Sequence, residues 1–329
     1  MPRYYLGIDV GGTKTHALVA DETGKAVGFS ETGPGNHEVV GYDGLVAALK
    51  ETTGSALTMA GIGSADIAGA GFGVAGYDFP SERQPTLEAI ATLGLAYPVE
   101  AVNDVFIGLI AGASQGWGVA IDSGTGTNCR GRDRNGRVGW ITGCGDPFGE
   151  HGGAGDLVAQ AIRAISHEWS RRGPPTQLTP AFLKLVGADS LDQFIEGLAL
   201  RWYTFYPDAA PLVFQVANDG DPVAREIIAW LGQELGWSVI AVIRQLEIQA
   251  LEFEVVLIGS LFKGGPLLIE PLKQTVLQEA SRACFVHLSA PPVVGGVLLG
   301  MEVAGVQGNE LRQKLIDSTL DLIRSSQNK

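Results

Sequence analysis

Two short stretches of the chain carry residue types that suit phosphate chemistry. Each ends an apolar run on an aspartate and follows it at once with glycines and threonines: Asp9-Val-Gly-Gly-Thr-Lys-Thr15, then Asp122-Ser-Gly-Thr-Gly-Thr-Asn128. Glycine permits positive φ and close backbone approach. Successive N–H groups around Gly11 and Gly12, and around Gly124 and Gly126, can therefore point at phosphate oxygens. Thr13 and Thr15 add hydroxyl donors and Lys14 adds a cation. Asp9 is placed to hold Mg2+ directly or through water, because hard cations favour oxygen ligands. Asp122 occupies the same place in the second copy. For one copy alone, a tight hairpin turn with a solvated lysine explains the pattern as well; the repetition weighs against that. Neither stretch contains GxxxxGK[ST], so a Walker A loop is excluded.

The likeness runs past the turns. Residues 5–28 and 119–139 each read as a strand into the aspartate, a Gly/Thr turn, a second segment and a second turn, Asp21 to Gly24 or Arg134 to Gly136. Internal repeats at 20–50 residues mark solenoids; this separation is longer and fits two related half-domains. Facing each other across a cleft, the two turns would hold two ends of a polyphosphate.

Four further segments could do chemistry. Val102-Asn103-Asp104 closes a short strand before a helix, and ligands gather at carboxyl strand ends of open α/β sheets. Phosphoryl transfer to an alcohol needs a group that orients the hydroxyl and takes its proton. Asp104 suits that role, and it equally suits a helix N-cap. The loop from Gly143 to Gly153 holds Cys144, Gly145, Glu150 and His151 ahead of a helix. Glu150 either binds a polar ligand or caps that helix. Asn36 and His37 follow Gly33-Pro-Gly, where asparagine is also a good turn residue. Gly259-Ser260-Leu-Phe-Lys263 follows a buried strand, as a place for a flat ligand against backbone or as a plain strand–helix turn. The five histidines show no metal-ligand spacing.

The elements that must position these residues alternate between strand and helix, which makes the chain α/β. Strands are expected at 4–10, 16–20, 25–31, 67–74, 99–102, 117–122, 253–258 and, as an edge, 285–288. Helices are expected at 42–58, 82–93, 104–113, 152–170, 181–202, 209–218, 222–249, 271–282, 293–303 and 310–325, with a proline-containing linker at 171–180. At 329 residues two domains are the prior. The net charge of −13 argues against nucleic-acid or anionic-membrane partners. No uninterrupted apolar run is long enough to span a bilayer, and the first residues lack a secretion signal. Cys129, Cys144 and Cys284 are odd in number with no CxxC pair; they read as reduced thiols of the cytoplasm.

Together these segments resemble the sugar kinase/actin/Hsp70 ATPase superfamily, and within it the N-acetylglucosamine kinase group of the BadF/BadG/BcrA/BcrD ATPase family. The resemblance covers residues 4–305. Its two phosphate motifs are similar to Asp9–Thr15 and Asp122–Asn128, the latter continuing into Cys129-Arg130. Its adenosine motif is similar to residues 258–263, with a late glycine motif at Gly295, Gly296 and Gly300 and a further stretch at Gly220-Asp-Pro222. The resemblance implies two ribonuclease-H-like (actin-like ATPase) domains around a cleft, each a mixed sheet flanked by helices. Their expected extents are 1–115, with helix 306–329 packing back on it, and 116–305 with a helical insertion.

The same resemblance implies ATP and Mg2+ as cofactors, a homodimer, and phosphorylation of a sugar, N-acetylglucosamine first and glucosamine or glucose next. Asp104 would be the base. Asn36, His37, Thr127, Asn128, Gly143, Cys144, Gly145 and Glu150 would meet the sugar. Gly11, Gly12, Thr13, Lys14, Thr15, Gly124, Thr125, Gly126, Gly259, Ser260 and Lys263 would meet the nucleotide. Three positions depart from the family pattern: Glu150 stands for an aspartate, Cys144 for a tryptophan and Ala75 for a serine. The same superfamily also holds ATPase activators of radical dehydratases and reductases, which carry an iron–sulfur cluster on cysteines of a glycine-rich segment. Cys129 and Cys144 do not match that setting.

Overall fold

The structure is a computed structural model that describes residues 3–96 and 98–327. The first sheet is built from β1 (Tyr4–Val10), β2 (Thr15–Asp21), β3 (Ala26–Thr32), β4 (Ile67–Val74) and β5 (Val99–Asn103). Helix α1 (His37–Ala60) follows β3, α2 (Arg83–Ala91) follows β4, and α3 (Asp104–Gly112) follows β5. The second sheet takes β6 (Gly118–Ser123), β7 (Thr127–Arg132) and β8 (Val138–Trp140). Five helices are then inserted: α4 (Ala154–Trp169), α5 (Leu178–Val186), α6 (Leu191–Ala199), α7 (Ala210–Asn218) and α8 (Pro222–Leu246). The chain closes with β9 (Phe253–Ile258), α9 (Pro266–Leu277), β10 (Ala283–His287), α10 (Val293–Val303) and α11 (Arg312–Gln327).

The repeat read in the sequence extends to the whole topology. The strand orders are β3-β2-β1-β4-β5 and β10-β9-β6-β7-β8. In each sheet three strands form an antiparallel meander and two more join in parallel. Both mixed sheets carry helices on their faces, so the central strands are apolar on both sides. On one face of the first sheet Leu6, Ile8, Val10, Phe72 and Val74 pack with Leu45 and Leu49 of α1 and Ile90 of α2.

The other face is covered from across the molecule. Helix α10, which follows the second sheet in sequence, lies on β1 and β4 of the first, and α11 lies on β3. Conversely, Val105, Leu109 and Ala113 on and just after α3 pack with Ala120 of β6 and Val256 of β9. The two halves therefore exchange their last helices. Close approach needs glycine: a Cβ on Gly7 would lie within 2.8 Å of the α10 backbone, and one on Gly295 would collide with the Ile107 carbonyl of α3. Gly295, Gly296 and Gly300 thus serve packing of α10 against α3, β1 and β4.

Boundaries differ from the sequence expectation, most of all in the helices. The helix expected at 181–202 is two helices. Gly187 ends α5 at φ 71°, and the Ser190 hydroxyl accepts from Gln193 N to start α6. Helix α5 begins at Leu178, inside the expected linker. Helix α9 starts five residues early because Pro266, not Pro271, takes its first turn. Helix α1 gains a first turn, joined across a kink at Gly41, φ 71°. Helix α8 is long and apolar enough to cross a bilayer. Most of its apolar residues, though not Trp237, are buried against α4, α7, α9 and the second sheet, as in a core helix.

Two glycine substitutions should part in sign. Gly7→Ala forces β1 and α10 apart and is expected to cost about 1–3 kcal/mol. Gly54 sits exposed within α1 with open space around it, so Gly54→Ala is expected to stabilise by about 0.5–1 kcal/mol. Urea midpoints measure both; a Gly7→Ala variant as stable as wild type contradicts the packing account.

Candidate active site

The first Gly/Thr turn closes with Gly11 N donating to Lys14 O at 2.9 Å. The Gly11 carbonyl then accepts from Gly35 N at 3.1 Å and Asn36 N at 3.2 Å, which binds the turn to the start of α1. Gly12 and Thr13 stay exposed. Two residues expected there point elsewhere. Lys14 Nζ donates to Glu31 Oε1 on β3 at 2.6 Å, and Thr15 is buried beneath Gly35. Asp9 lies partly buried below the turn, its Oδ2 3.6 Å from His16 Nδ1. The ring's other nitrogen is 3.0 Å from Glu31, and these two carboxylates raise the His16 pKa against the opposing effect of burial.

The second turn is cradled by the start of α4. Ala154 N donates to Gly124 O at 2.9 Å and Gly155 N to Thr125 O at 3.3 Å. The Ser123 hydroxyl donates to Gly152 O at 2.5 Å. Thr127 Oγ1 donates to Asp122 O at 2.8 Å, so this expected sugar contact also shapes the turn. Gly259 needs its positive φ of 103° and its missing side chain, since a Cβ there would collide with the Ser123 carbonyl. That contact brings the end of β9 onto the second turn.

Between the turns stands Asp104. The N-cap of α3 is its neighbour Asn103, and Val105 N is shared, with Asn103 Oδ1 and Asp104 Oδ1 each accepting from it at 3.0 Å. Gly73 faces Asp9 in the strand register and passes directly under Asp104. Burial, and then the charges of Asp9 and Asp122, push the Asp104 carboxyl up to about 8. Burial likewise pushes Asp122 up to about 7. Among the described residues no cluster of three His, Cys, Asp or Glu side chains could hold a metal by itself. Asp9 and Asp122 supply the hard oxygen donors that fit Mg2+ shared with phosphates and water.

A polar wall lies beside Asp104. Asn36 caps α1, its Oδ1 accepting from Glu38 N at 2.8 Å. His37 stacks on Tyr42 with centroids 4.5 Å apart, and its Nε2 is 3.7 Å from Glu82. Gly76, at φ 80°, brings the loop after β4 onto Asn36, where a Cβ would lie 2.6 Å from Asn36 Oδ1. Two residues later, Asp78 Oδ1 accepts from Asn103 Nδ2 at 3.1 Å, Asn128 Nδ2 at 3.0 Å and the Arg130 guanidinium. Gly143, at φ 74°, covers Asn128, with a would-be Cβ 2.9 Å from its Nδ2. Asp78 and Arg130 were not read as site residues. The available signal was a carboxylate just past the end of a parallel strand.

Glu150 is occupied within its own loop. Its carboxylate accepts from Thr142 N at 2.8 Å, Thr142 Oγ1 at 2.7 Å and Cys144 N at 3.2 Å. It fixes the bend that carries Gly143, Cys144 and Gly145. Helix α4 is instead capped by Asp156, which accepts from Gly152 N and Gly153 N at 3.0 Å each. Cys144 is exposed, while Cys129 is buried in β7, where burial pushes its thiol pKa up.

On the far side of the second turn opens a cavity of about 820 Å³, in the range of small-molecule sites. Gly124, Thr125, Ser260 and Lys263 line it. Its other wall, Pro207, Phe214, Gln215 and Asn218, comes from α7 and the turn before it. These were legible as helix but not as site. The Gly220-Asp-Pro222 stretch does not line the cavity. Asp221 is a buried cap of α8, accepting from Ala224 N at 2.8 Å and holding Thr176 and Gln177.

A family model described as the BadF/BadG/BcrA/BcrD ATPase family matches residues 6–300. The chain is 26% identical over 304 residues to the N-acetylmuramic acid/N-acetylglucosamine kinase of Clostridium acetobutylicum, covering 90% of this chain and 98% of that protein. It is 24% identical over 312 residues to the N-acetyl-D-glucosamine kinase of Dictyostelium discoideum, covering 90% and 97%. A crystal structure from Chromobacterium violaceum, provisionally assigned as an N-acetylglucosamine kinase, shares the fold with a TM-score of 0.65 at 23% identity, covering 90% and 98%.

The carboxyl of Asp104 gives a pH test that needs no ligand. Its ordinary value is 3.8 and its folded value about 8. Between these the folded state binds the extra proton, so this group makes stability fall as pH rises through that window. Asp104→Asn is therefore expected to raise Tm relative to wild type by more at pH 8.5 than at pH 5. Scanning calorimetry at both values decides it; an equal difference at both would show that Asp104 ionises normally.

Proposed function

The chain belongs to the BadF/BadG/BcrA/BcrD ATPase family, and from that premise we propose that it transfers the γ-phosphoryl group of ATP to a hydroxyl of a sugar or amino sugar. N-acetylglucosamine is the first acceptor, with glucosamine and glucose next. The observation that carries this reading is the place of Asp104. It stands between two Gly/Thr turns, with the 820 Å³ cavity beyond one turn and the wall of Asn36, Asp78, Asn103 and Asn128 beside it.

In this reading the adenosine lies in the cavity against Phe214 and Pro207, with Gln215 and Asn218 as its polar partners. Thr125, Ser260 and Lys263 meet the phosphate side from the second half. The exposed backbone at Gly12 and Thr13 meets it from the first. Mg2+, when bound, neutralises phosphate charge, and Asp9 and Asp122 are the residues that would hold it. The acceptor oxygen forms a bond to the γ-phosphorus as the bond to the β–γ bridging oxygen breaks and ADP leaves. The acceptor's proton passes to an Asp104 carboxylate oxygen.

A carboxyl raised toward neutral pH is suited to that task, because a base works best with a pKa near the operating pH. The sources of the rise matter. Burial holds Asp104 protonated and the negative charges of Asp9 and Asp122 add to it; a cation arriving between them would lower that second part of the barrier. A neutral or cationic acceptor fits a wall that holds Glu38 beside Asn36, Glu82 beside His37, and Asp78 paired with Arg130. Glu150 contributes by shaping the loop over Asn128. The iron–sulfur alternative finds no support in a Cys129 that is buried in a strand.

ADP release over a panel of sugars tests the activity, with two variants as its internal check. Asp104→Asn is expected to cut kcat by ~10²–10⁴-fold with both KM values nearly kept. Phe214→Ala is expected to raise the ATP KM about tenfold with the sugar KM and kcat kept, a loss of ~1.4 kcal/mol of binding. Wild-type ADP release that no sugar stimulates would overturn the kinase reading.

A further inference from the structure

Asp78 lies outside both turns and outside the nucleotide cavity, yet it connects the two halves. Its Oδ1 takes three donors: Asn103 at the end of β5 in the first sheet, and Asn128 and Arg130 on β7 in the second. A carboxylate oxygen has about two lone-pair sites, so three donors saturate it and constrain one another. Both asparagines are fixed at their other end as well. Asn103 Oδ1 accepts from Val105 N at 3.0 Å, and Asn128 Oδ1 accepts from Cys129 N at 2.8 Å. Each amide is therefore oriented twice, with an Nδ2 hydrogen on Asp78.

The next residue makes a second contact in the same direction. Phe79 meets Trp140 of β8 edge-on, with centroids 5.8 Å apart. The Arg130 guanidinium lies 5.1 Å above the same indole. Arg130 is 5% exposed, and its Nε has no partner. Asp78 is the one carboxylate that meets its charge among the ion pairs of the described residues. Glu82 holds the loop itself in shape, accepting from Asp78 N at 2.8 Å and Phe79 N at 2.7 Å.

We propose that Asp78 is the positioning residue of the acceptor wall. By holding Asn103 and Asn128 on one oxygen, it sets the span between the helix that carries Asp104 and the sugar-facing edge of the second sheet. The acceptor sugar then meets both halves at a fixed separation. This rests on the kinase reading above. It assigns Asp78 no contact with the reacting atoms, and it makes Asn128 the residue through which Asp78 acts on the sugar.

The test compares wild type, Asp78→Asn, Asn128→Ala and the double variant by steady-state kinetics, with small-angle scattering of each protein free of ligand. Asp78→Asn keeps the size of the side chain but places an amide where three donors converge. It is expected to raise the sugar KM tenfold or more and the ATP KM less than threefold. In the double variant the sugar KM should rise no further than in Asn128→Ala alone, because two residues acting in series are not additive. Ligand-free Asp78→Asn should show a larger radius of gyration than wild type. Multiplying KM effects, or an unchanged sugar KM, overturns the proposal. If Asp78→Asn does not fold, Asp78→Glu keeps the charge for Arg130 and carries the same measurements. If wild type phosphorylates no sugar, the kinase reading fails separately, and an unchanged radius of gyration then overturns the clasp.

Discussion

The whole cleft depends on the contact between α3 and α10. Each helix follows one sheet in sequence and packs on the other, and the two meet where Gly295 leaves no room for a side chain beside the Ile107 carbonyl. Close-packed interiors transmit position rigidly. Because α3 begins at Asp104, the exchange fixes that carboxyl over the boundary between the sheets. Because α10 lies on β1 and β4, it also fixes the strand that ends at Asp9. The twofold likeness of the sheets then places Asp122 at the matching end of β6. Geometry at the centre is thus inherited from helix packing some distance below it.

The electrostatics follow from that geometry. Asp9, Asp104 and Asp122 converge where water is scarce, with Asp78 adding its charge. Burial pushes the Asp104 and Asp122 carboxyls up, and the neighbouring negative charges raise Asp104 further. Such a centre is held in tension until positive charge and phosphate arrive together. The one guanidinium in the wall, Arg130, is already committed to Asp78, and Lys14 is committed to Glu31. Arg130 and Lys14 are thus held by other carboxylates, and the basic group beside Asp9 is His16.

How much was legible beforehand divides along sequence distance. The two turns, Asp104, Gly259, Ser260 and Lys263 announce themselves by local spacing, and the apolar strands between them give the α/β order. The repeat even foreshadows the matching strand orders of the two sheets. What stayed hidden depends on partners far along the chain. Asp78 gains its meaning from Asn128 and Arg130, roughly fifty residues away. Phe214 and Gln215 read as ordinary helix until the fold turns α7 toward Ser260. Lys14, Thr15, Thr127 and Glu150 have the right chemistry for ligands. In the fold Lys14 meets Glu31, Thr15 lies in the core, Thr127 donates to the Asp122 carbonyl and Glu150 accepts from Thr142. Spacing along a chain shows which groups are present; only packing shows which remain free.

The central claim is that one carboxyl, Asp104, stands between a nucleotide held by the second half and an acceptor held by both. A crystal structure with magnesium, a non-hydrolysable ATP analogue and N-acetylglucosamine measures it directly. The account predicts adenine in the cavity beside Phe214, the γ-phosphate between the two Gly/Thr turns, and one sugar hydroxyl about 2.6–3.2 Å from an Asp104 carboxylate oxygen. A sugar bound away from Asp104, with that carboxyl still enclosed by Asp9 and Asp122 and touching no ligand, would contradict it.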